Sequence, residues 1–248
     1  MASRVTIRQV PYRKGQQSCC PNKRGQHYHV EGDERIEPSV PLDSCSSIAK
    51  YASPSGDGLI YWGVDLALAT GRRDAFKESN ERALAIGKAI HDEIAEHIAT
   101  GKEPANPSPI FGKWFSSMQE QGLKWLACER MVYHRKLGYA GTYDALGIVD
   151  DEVTLFDWKT TNGLNKEGRR KKLGYSDHAA QVAGYILAMS SLPPDPEVPI
   201  PTKAVICYLL KDVREVVWLY IDIKAAKRAF LASYRLYTAD KGGLYETR

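Results

Sequence analysis

The sequence predicts a mixed α/β fold, a central β-sheet flanked by helices with a mainly helical first half. Three observations carry that expectation. Apolar residues between about 59 and 125 recur at helical steps, five later segments read as strands, and a helical stretch near 177–190 separates the first three strands from the last two. The 248 residues suffice for one ordinary core, and 43% hydrophobic with 26% charged residues exclude disordered and fibrous classes. No run of about 18 apolar residues occurs, which excludes an ordinary membrane span. The formal charge of +4 is too small to announce a polyanionic partner, so its distribution matters more than its sum.

The first 60 residues are turn-rich, with strand-like pieces at Val5–Val10 and His27–Val30. Residues 1–30 hold Arg4, Arg8, Arg13, Lys14, Lys23 and Arg24 and no acidic side chain. Such a segment suits an organellar transit peptide or a nucleic-acid-facing arm. Period-two alternation over residues 5–10, followed by Pro11, Gly15 and Pro21, favours strand and turn over an amphipathic transit helix. No apolar stretch of secretory type follows Met1. Cys19, Cys20, Cys45, Cys128 and Cys207 are an odd, scattered set, which argues for a reducing compartment and against a disulfide framework. Cys19, Cys20, His27 and His29 could supply four zinc ligands, yet adjacent cysteines lack the usual spacing of such pairs, and ordinary thiols in a loop fit better.

A first helix is expected over 59–76. A second runs from Asn80 to Ile98, where Leu84, Gly87, Ile90, Ile94 and Ile98 share a face and Thr100-Gly101 ends it. After the proline-containing loop 103–109, a third helix covers Ile110–Trp125. Strands follow at Glu129–His134, Tyr139–Val149 and Val153–Lys159, with Asp150-Asp151 turning between the last two. A basic loop leads to the helix Asp177–Ser190. The five prolines of 192–201 make a connection. Lys203–Leu210 and Glu215–Asp222 form a hairpin, and Ile223–Tyr237 a terminal helix. The chain thus reads as one domain in three parts: strands and turns (1–58), a helical wall or arch (59–126) and an α/β core (127–238).

In the strand 153–159 both alternating sets are apolar, as in a strand covered on both faces, except for Asp157 and Lys159. Period two puts these on one side, about 6–7 Å apart. Burying them without partners would cost about several kcal/mol each, so either they pair or they reach water at a frayed strand end. Asp144 on the preceding strand lies about as far from the turn as Asp157 and comes beside it. Like charges so placed are destabilising unless a cation sits between them. Two carboxylates and a lysine therefore suggest a hard divalent metal, most simply Mg²⁺ held with water and a substrate phosphate.

Asp144, twelve intervening residues, then Asp157-Trp158-Lys159-Thr160 resembles the D…(D/E)-x-K core of the PD-(D/E)XK nuclease superfamily. Gln181-Val182-Ala183-Gly184-Tyr185 looks like the Q-x-x-x-Y motif of its RecB-like branch, and Gly87-Lys88-Ala89-Ile90-His91 like that branch's G-x-x-x-H helix. Within the branch the chain is similar to the mitochondrial genome-maintenance exonuclease family and related phage and bacterial exonucleases, whose lead-in Tyr28-His29-Val30-Glu31-Gly32 and Pro38-Ser39-Val40 resemble. The likeness spans roughly residues 27–237.

The resemblance implies a restriction-endonuclease-like core and a Mg²⁺- or Mn²⁺-dependent deoxyribonuclease, an exonuclease rather than an endonuclease, acting on single-stranded or end-containing DNA in replication, recombination or repair. A structure-specific endonuclease and a silent DNA-binding module are the alternatives. The implied metal ligands are His91, Asp144, Asp157 and the backbone carbonyl of Trp158, with Glu129 available for a second ion or its water. Lys159 is the implied catalytic lysine, its pKa depressed by the metal. Gln181 and Tyr185, four apart on one helix face, would position the substrate backbone or support Lys159, and Thr160 and Thr161 would donate hydrogen bonds to a phosphate or serve as plain turn residues. Only Cys207 stands where iron-sulfur members carry three cysteines, so no such cluster is expected.

Lys166, Arg169, Arg170, Lys171 and Lys172, against Glu167 alone, form a loop placed to track a nucleic-acid backbone, or simply a solvated face. Trp62, Trp114 and Trp125 could stack bases, although core packing is the commoner use. The expected partners are DNA and replication or recombination proteins, with no membrane. The expected location is the cytoplasm of a bacterial or phage-infected cell, with the mitochondrion as alternative.

Overall fold

A computed structural model of the chain describes residues 5–10, 27–37, 40–53 and 58–242. Cys19, Cys20, the side chain of His27 and most of the basic arm lie outside these residues, and so does the zinc reading built on them. A two-stranded antiparallel ribbon, β1 (Thr6–Val10) and β2 (His27–Glu31), precedes the main sheet. That sheet has six strands: β3 (Asp43–Ser44), β4 (Lys124–His134), β5 (Tyr139–Val149), β6 (Glu152–Thr161), β7 (Lys203–Leu210) and β8 (Glu215–Tyr220). Its order is β3-β5-β6-β7-β8, with β4 on the other edge of β5. The pairs β3–β5 and β6–β7 are parallel and the rest antiparallel, so the sheet is mixed.

The β5–β6 hairpin forms where expected. Asp150 and Asp151 adopt φ of +50° and +59°, the left-handed conformation that a tight two-residue hairpin turn demands and that aspartate tolerates. From its last pair, Val149 with Glu152, the register runs back to Ala145 with Phe156, which makes Asp144 and Asp157 the next neighbours. β6 then leaves through α5 (Ser176–Ser191) to return as β7, the kind of crossover that parallel strands require.

Helices cover both faces. On one side α1 (Cys45–Ala49), α5 and α6 (Ile223–Gly242) bury Tyr139, Leu155, Ile186, Ile206 and Phe230. On the other, α3 (Ala75–Thr100) and α4 (Pro109–Glu120) bury Ile90, Ile94, Phe156 and Trp158 around Trp114. Trp114 is fully buried and stacks on Trp125 at 6.2 Å, so both fill the core. Trp62, on α2 (Gly58–Thr70), packs edge-on against Phe76 at 5.0 Å. Close approach of α5 needs Gly184, because a Cβ there would lie 2.5 Å from the Cys45 Sγ and 2.6 Å from the Phe230 ring.

Several boundaries differ from expectation, β4 starting at Lys124 and α6 running to Gly242 among them. α2 stops at Thr70 rather than 76 because Gly71 (φ +67°) turns the chain, and α3 begins at Ala75. α4 ends at Glu120, Gly122 (φ +59°) reverses direction, and Trp125 belongs to β4. The five-residue α1 carries no sequence signal of its own. It persists through the burial of Ile48 and Ala49, since an isolated helix so short would not form.

The lead-in is locked to the sheet by Asp33, whose side chain is fully buried. It accepts hydrogen bonds from Arg135 Nε (2.7 Å) and Nη2 (2.9 Å), the Tyr133 hydroxyl (2.7 Å) and the Arg35 amide (3.1 Å). The Arg135 guanidinium, outweighing burial, holds this carboxyl well below the usual carboxylate range. Among the described residues no helix is long and apolar enough to cross a membrane.

Candidate active site

One helix and three strands converge on a polar centre. His91 on α3, Glu129 on β4 and Asp144 on β5 each present a ligand atom within 4.8 Å of the others. His91 Nδ1 is 3.8 Å from Asp144 Oδ2, and the same oxygen accepts the backbone N–H of Trp158 at 2.7 Å. Ile90 and Ile94 anchor this face of α3 in the core and so fix the neighbouring imidazole. Glu129 has φ +47° inside a strand. For a residue other than glycine that backbone costs about 1–2 kcal/mol. The β4–β5 register, Cys128 with Ala145 and Arg130 with Tyr143, sets Glu129 opposite Asp144.

Solvent reaches part of Glu129, yet the protein around its carboxyl disfavours the charge. Burial first, then Asp144 and Asp92, push its pKa up to about 7, with Lys88 opposing. The three-residue cluster therefore carries more negative charge than its surroundings balance.

Asp157 and Lys159 lie on the same face of β6. Asp157 is buried (1% exposed), and its Oδ2 sits 2.6 Å from Lys159 Nζ without a well-directed hydrogen bond. Lys159 keeps 21% of its side chain exposed, which leaves the ammonium a path to a ligand. It donates at 3.4 Å to Gln181 Oε1, and Gln181 Nε2 donates at 2.6 Å to the Tyr185 hydroxyl. Gln181 and Tyr185 thus share one face of α5, as their spacing implied, and run as a chain to the lysine. Burial raises the Asp157 pKa and Asp144 adds to it, against the pull of Lys159. For Lys159, burial favours the neutral amine, but Asp157 and Asp144 outweigh it and the pKa rises. The depression expected from the resemblance would need a cation, because the chain's own charges work the other way.

Asp157 is not one of the three clustered ligand residues, and its carboxylate turns to Lys159 instead. Trp158 meets the cluster through its amide on Asp144, while its ring lies in the core. Thr160 Oγ1 is buried without a hydrogen-bond partner among the described residues, and the Thr161 hydroxyl donates to the Asn162 carbonyl at 3.4 Å. In the basic loop Lys166 pairs with Asp65 (3.2 Å), Arg170 with Glu215 (2.6 Å) and Arg169 with Glu167 (4.0 Å). Lys171 and Lys172 are exposed and make no ion pair among the described residues. The loop's free charge is therefore smaller than its sequence suggests.

His178 and Tyr208 were not singled out from sequence. Tyr208 pairs with Lys159 across β6–β7, and its hydroxyl lies 2.8 Å from His178 Nδ1. Burial and then Lys159 lower the His178 pKa, which keeps the ring neutral beside the ammonium. The available signal was spacing: His178, Gln181 and Tyr185 recur at three and four residues on α5.

One imidazole and two carboxylates, mutually within reach, are a donor set that fits a divalent cation. Such an ion would offset the burial, and after it the Asp144 and Asp92 charges, that disfavour ionised Glu129, and would offset the Asp144 charge beside the buried Asp157.

No protein-family model and no curated protein matches the chain. Among solved structures it is similar to the protein SSO0001, at 12% identity over 76% of this chain and 74% of that one, with a TM-score of 0.34. It is also similar to an alkaline exonuclease (LHK-Exo) from Laribacter hongkongensis, at 14% identity, 81% and 93% coverage and a TM-score of 0.33. A phage related exonuclease from Haemophilus somnus 129PT gives 13% identity, 81% and 96% coverage and a TM-score of 0.30. The mixed α/β assignment rests on the strand register and helix layers described above.

Proposed function

We propose that the protein is a Mg²⁺- or Mn²⁺-dependent nuclease that hydrolyses DNA phosphodiesters from an end. The observation that carries this reading is the juxtaposition of the His91–Glu129–Asp144 cluster with the buried Asp157–Lys159 pair on the adjoining strand. The sequence motifs supply the rest: Asp144…Asp157-x-Lys159 with Gly87…His91 upstream and Gln181…Tyr185 downstream resembles the RecB-like exonucleases.

His91, Glu129 and Asp144 would hold the cation, with Asp157 the next carboxylate available. When bound, it would supply Lewis-acid stabilisation of negative charge developing on the phosphoryl group. The remaining work belongs to the chain. Trp158 N–H fixes the rotamer of Asp144. Lys159, charged and directed by Asp157 and Gln181, orients the attacking water and stabilises the phosphorane-like transition state. Tyr185 holds Gln181, and neutral His178 with Tyr208 packs the far side of Lys159 without adding charge. Lys171 and Lys172 are free to attract the strand.

Purified protein with end-labelled and circular single-stranded DNA tests the reading. Linear DNA is expected to be degraded only with Mg²⁺ or Mn²⁺, circles to survive, and Lys159→Ala to lower the rate by about 10²–10³-fold, the scale for losing a transition-state donor. Undiminished cleavage by Lys159→Ala, or none by the wild type, refutes it. Cut circles would favour the endonuclease.

A further inference from the structure

We propose that the cavity between β1, β4 and the Pro193-Pro194 turn receives one unpaired nucleobase beside the phosphodiester being cleaved. The inference rests on the nuclease reading and adds a specificity pocket to it. The cavity measures about 560 Å³, within the range of roughly 300–1,000 Å³ typical of small-molecule sites and ample for a base with its sugar.

Its position ties it to the candidate active site. Glu129 lines the cavity and also belongs to the His91–Glu129–Asp144 cluster. The next two residues of β4, Arg130 and Met131, form cavity wall. A strand with a phosphate at the cluster therefore has this space next to it.

The lining chooses the ligand class. Ile7, Met131, Pro193 and Val198 give apolar surfaces against which a flat ring can lie. Arg130, Tyr143 and Asp195 add two donors and an acceptor, the set needed to read the edge of a heterocycle. Tyr143 is the telling residue: it is wholly buried, and its hydroxyl has no hydrogen-bond partner among the described residues. An unpaired buried hydroxyl is a cost to the free protein that an acceptor on a bound ring would remove. A lone phosphate would waste the apolar walls, and an aliphatic ligand would leave the hydroxyl and the guanidinium unused.

The test uses full-length Lys159→Ala protein and a single-stranded oligonucleotide labelled at its far end, carrying at its near end either 2-aminopurine or an abasic tetrahydrofuran residue. The 2-aminopurine fluorescence is expected to change on binding. The abasic oligonucleotide is expected to bind about 10-fold more weakly, one lost stacking contact of the kind seen for bases on protein surfaces. Adding Met131→Trp, which fills the cavity, should erase that difference. Adding Tyr143→Phe should weaken only the base-bearing oligonucleotide, by about 3- to 10-fold, without lowering the melting temperature. Equal binding of both oligonucleotides, or discrimination that survives Met131→Trp and Tyr143→Phe, overturns the pocket. Wild-type protein that cleaves normal and abasic ends at the same rate removes the pocket alone, whereas wild type that cleaves neither removes the nuclease reading beneath it.

Discussion

Asp33 and Asp157 are both buried aspartates paired with a cation, yet their surroundings push them in opposite directions. Asp33 meets the two nitrogens of Arg135, the Tyr133 hydroxyl and a backbone amide, and its pKa falls. Asp157 meets one ammonium at a poor angle, and its burial first, with the neighbouring Asp144 adding to it, raises its pKa. The first carboxylate is satisfied by the fold. The second is held in a state that the fold alone does not favour, as expected where charge is kept for a ligand rather than for stability.

The largest effect should come from breaking the satisfied pair. Asp33→Ala leaves Arg135, Tyr133 and an amide without their acceptor. A loss of about 3 kcal/mol is expected, the low end for a broken buried pair, because Arg135 keeps 19% of its side chain in water. The double replacement Asp157→Asn with Lys159→Met should be neutral or stabilising, since a poorly compensated buried pair is removed whole. Urea unfolding of both variants measures the contrast, and equal losses would dissolve it. Acid sharpens it further. The Asp33 pKa is lower folded than unfolded, so its stabilisation is complete above the unfolded value near 3.8 and is lost as pH falls through the folded one. Asp33→Ala should flatten that part of the acid unfolding curve.

Local chemistry made half of this contrast legible. Asp157 and Lys159 share a strand, Asp144 is one hairpin away across the readable Asp150-Asp151 turn, and Gln181 and Tyr185 share a helix, so period and spacing suffice to place them. Asp33 and Arg135 lie 102 residues apart, and nothing in either neighbourhood announces the other. The same holds for Asp65 and Glu215, which take up charge from the basic loop. Glu129 was visible as a carboxylate, but its left-handed backbone depends on the β4–β5 pairing around it. Gly71 and Gly122 ended helices whose apolar pattern ran on, because a periodic pattern registers a face and not the glycine that stops the chain. His178 was hidden because its partners, Tyr208 and Lys159, come from strands that only the crossover brings together.

The cluster itself supplies a smaller, pH-dependent effect. Glu129 is raised from 4.5 to about 7, so the folded protein binds more protons than the unfolded chain between those values, and stability falls as pH rises through this window. Above about pH 7 the loss is complete. Glu129→Gln should remove that slope from a plot of metal-free stability against pH. Under the nuclease reading the ionised carboxylate is a ligand, so Mn²⁺ affinity measured by calorimetry should fall as pH drops below 7 in the wild type, and less steeply in Glu129→Gln. A wild-type slope of opposite sign would mean that the carboxyl is better compensated than its neighbours allow.

The smallest expected effect separates two glycines in the motifs. Gly184 is fixed by packing, since any Cβ there would run into Cys45 and Phe230. Gly87 is not: a Cβ there would meet only the Thr160 Cβ, at an ordinary 3.9 Å, and a glycine inside α3 costs the helix about 0.5–1 kcal/mol relative to alanine. Gly87→Ala should therefore raise stability by up to that amount. Gly112, exposed on α4 with open space around it, provides a control in which alanine should stabilise to a similar degree. Under the nuclease reading the two should part in activity. Gly87→Ala puts a methyl over Thr160, whose buried hydroxyl lacks a partner beside Lys159, and should raise KM for linear DNA with little change in kcat. Gly112→Ala should change neither. If both variants cleave as the wild type does, the bare face of α3 serves no substrate, and the glycine of the Gly87…His91 motif has no function that this fold requires.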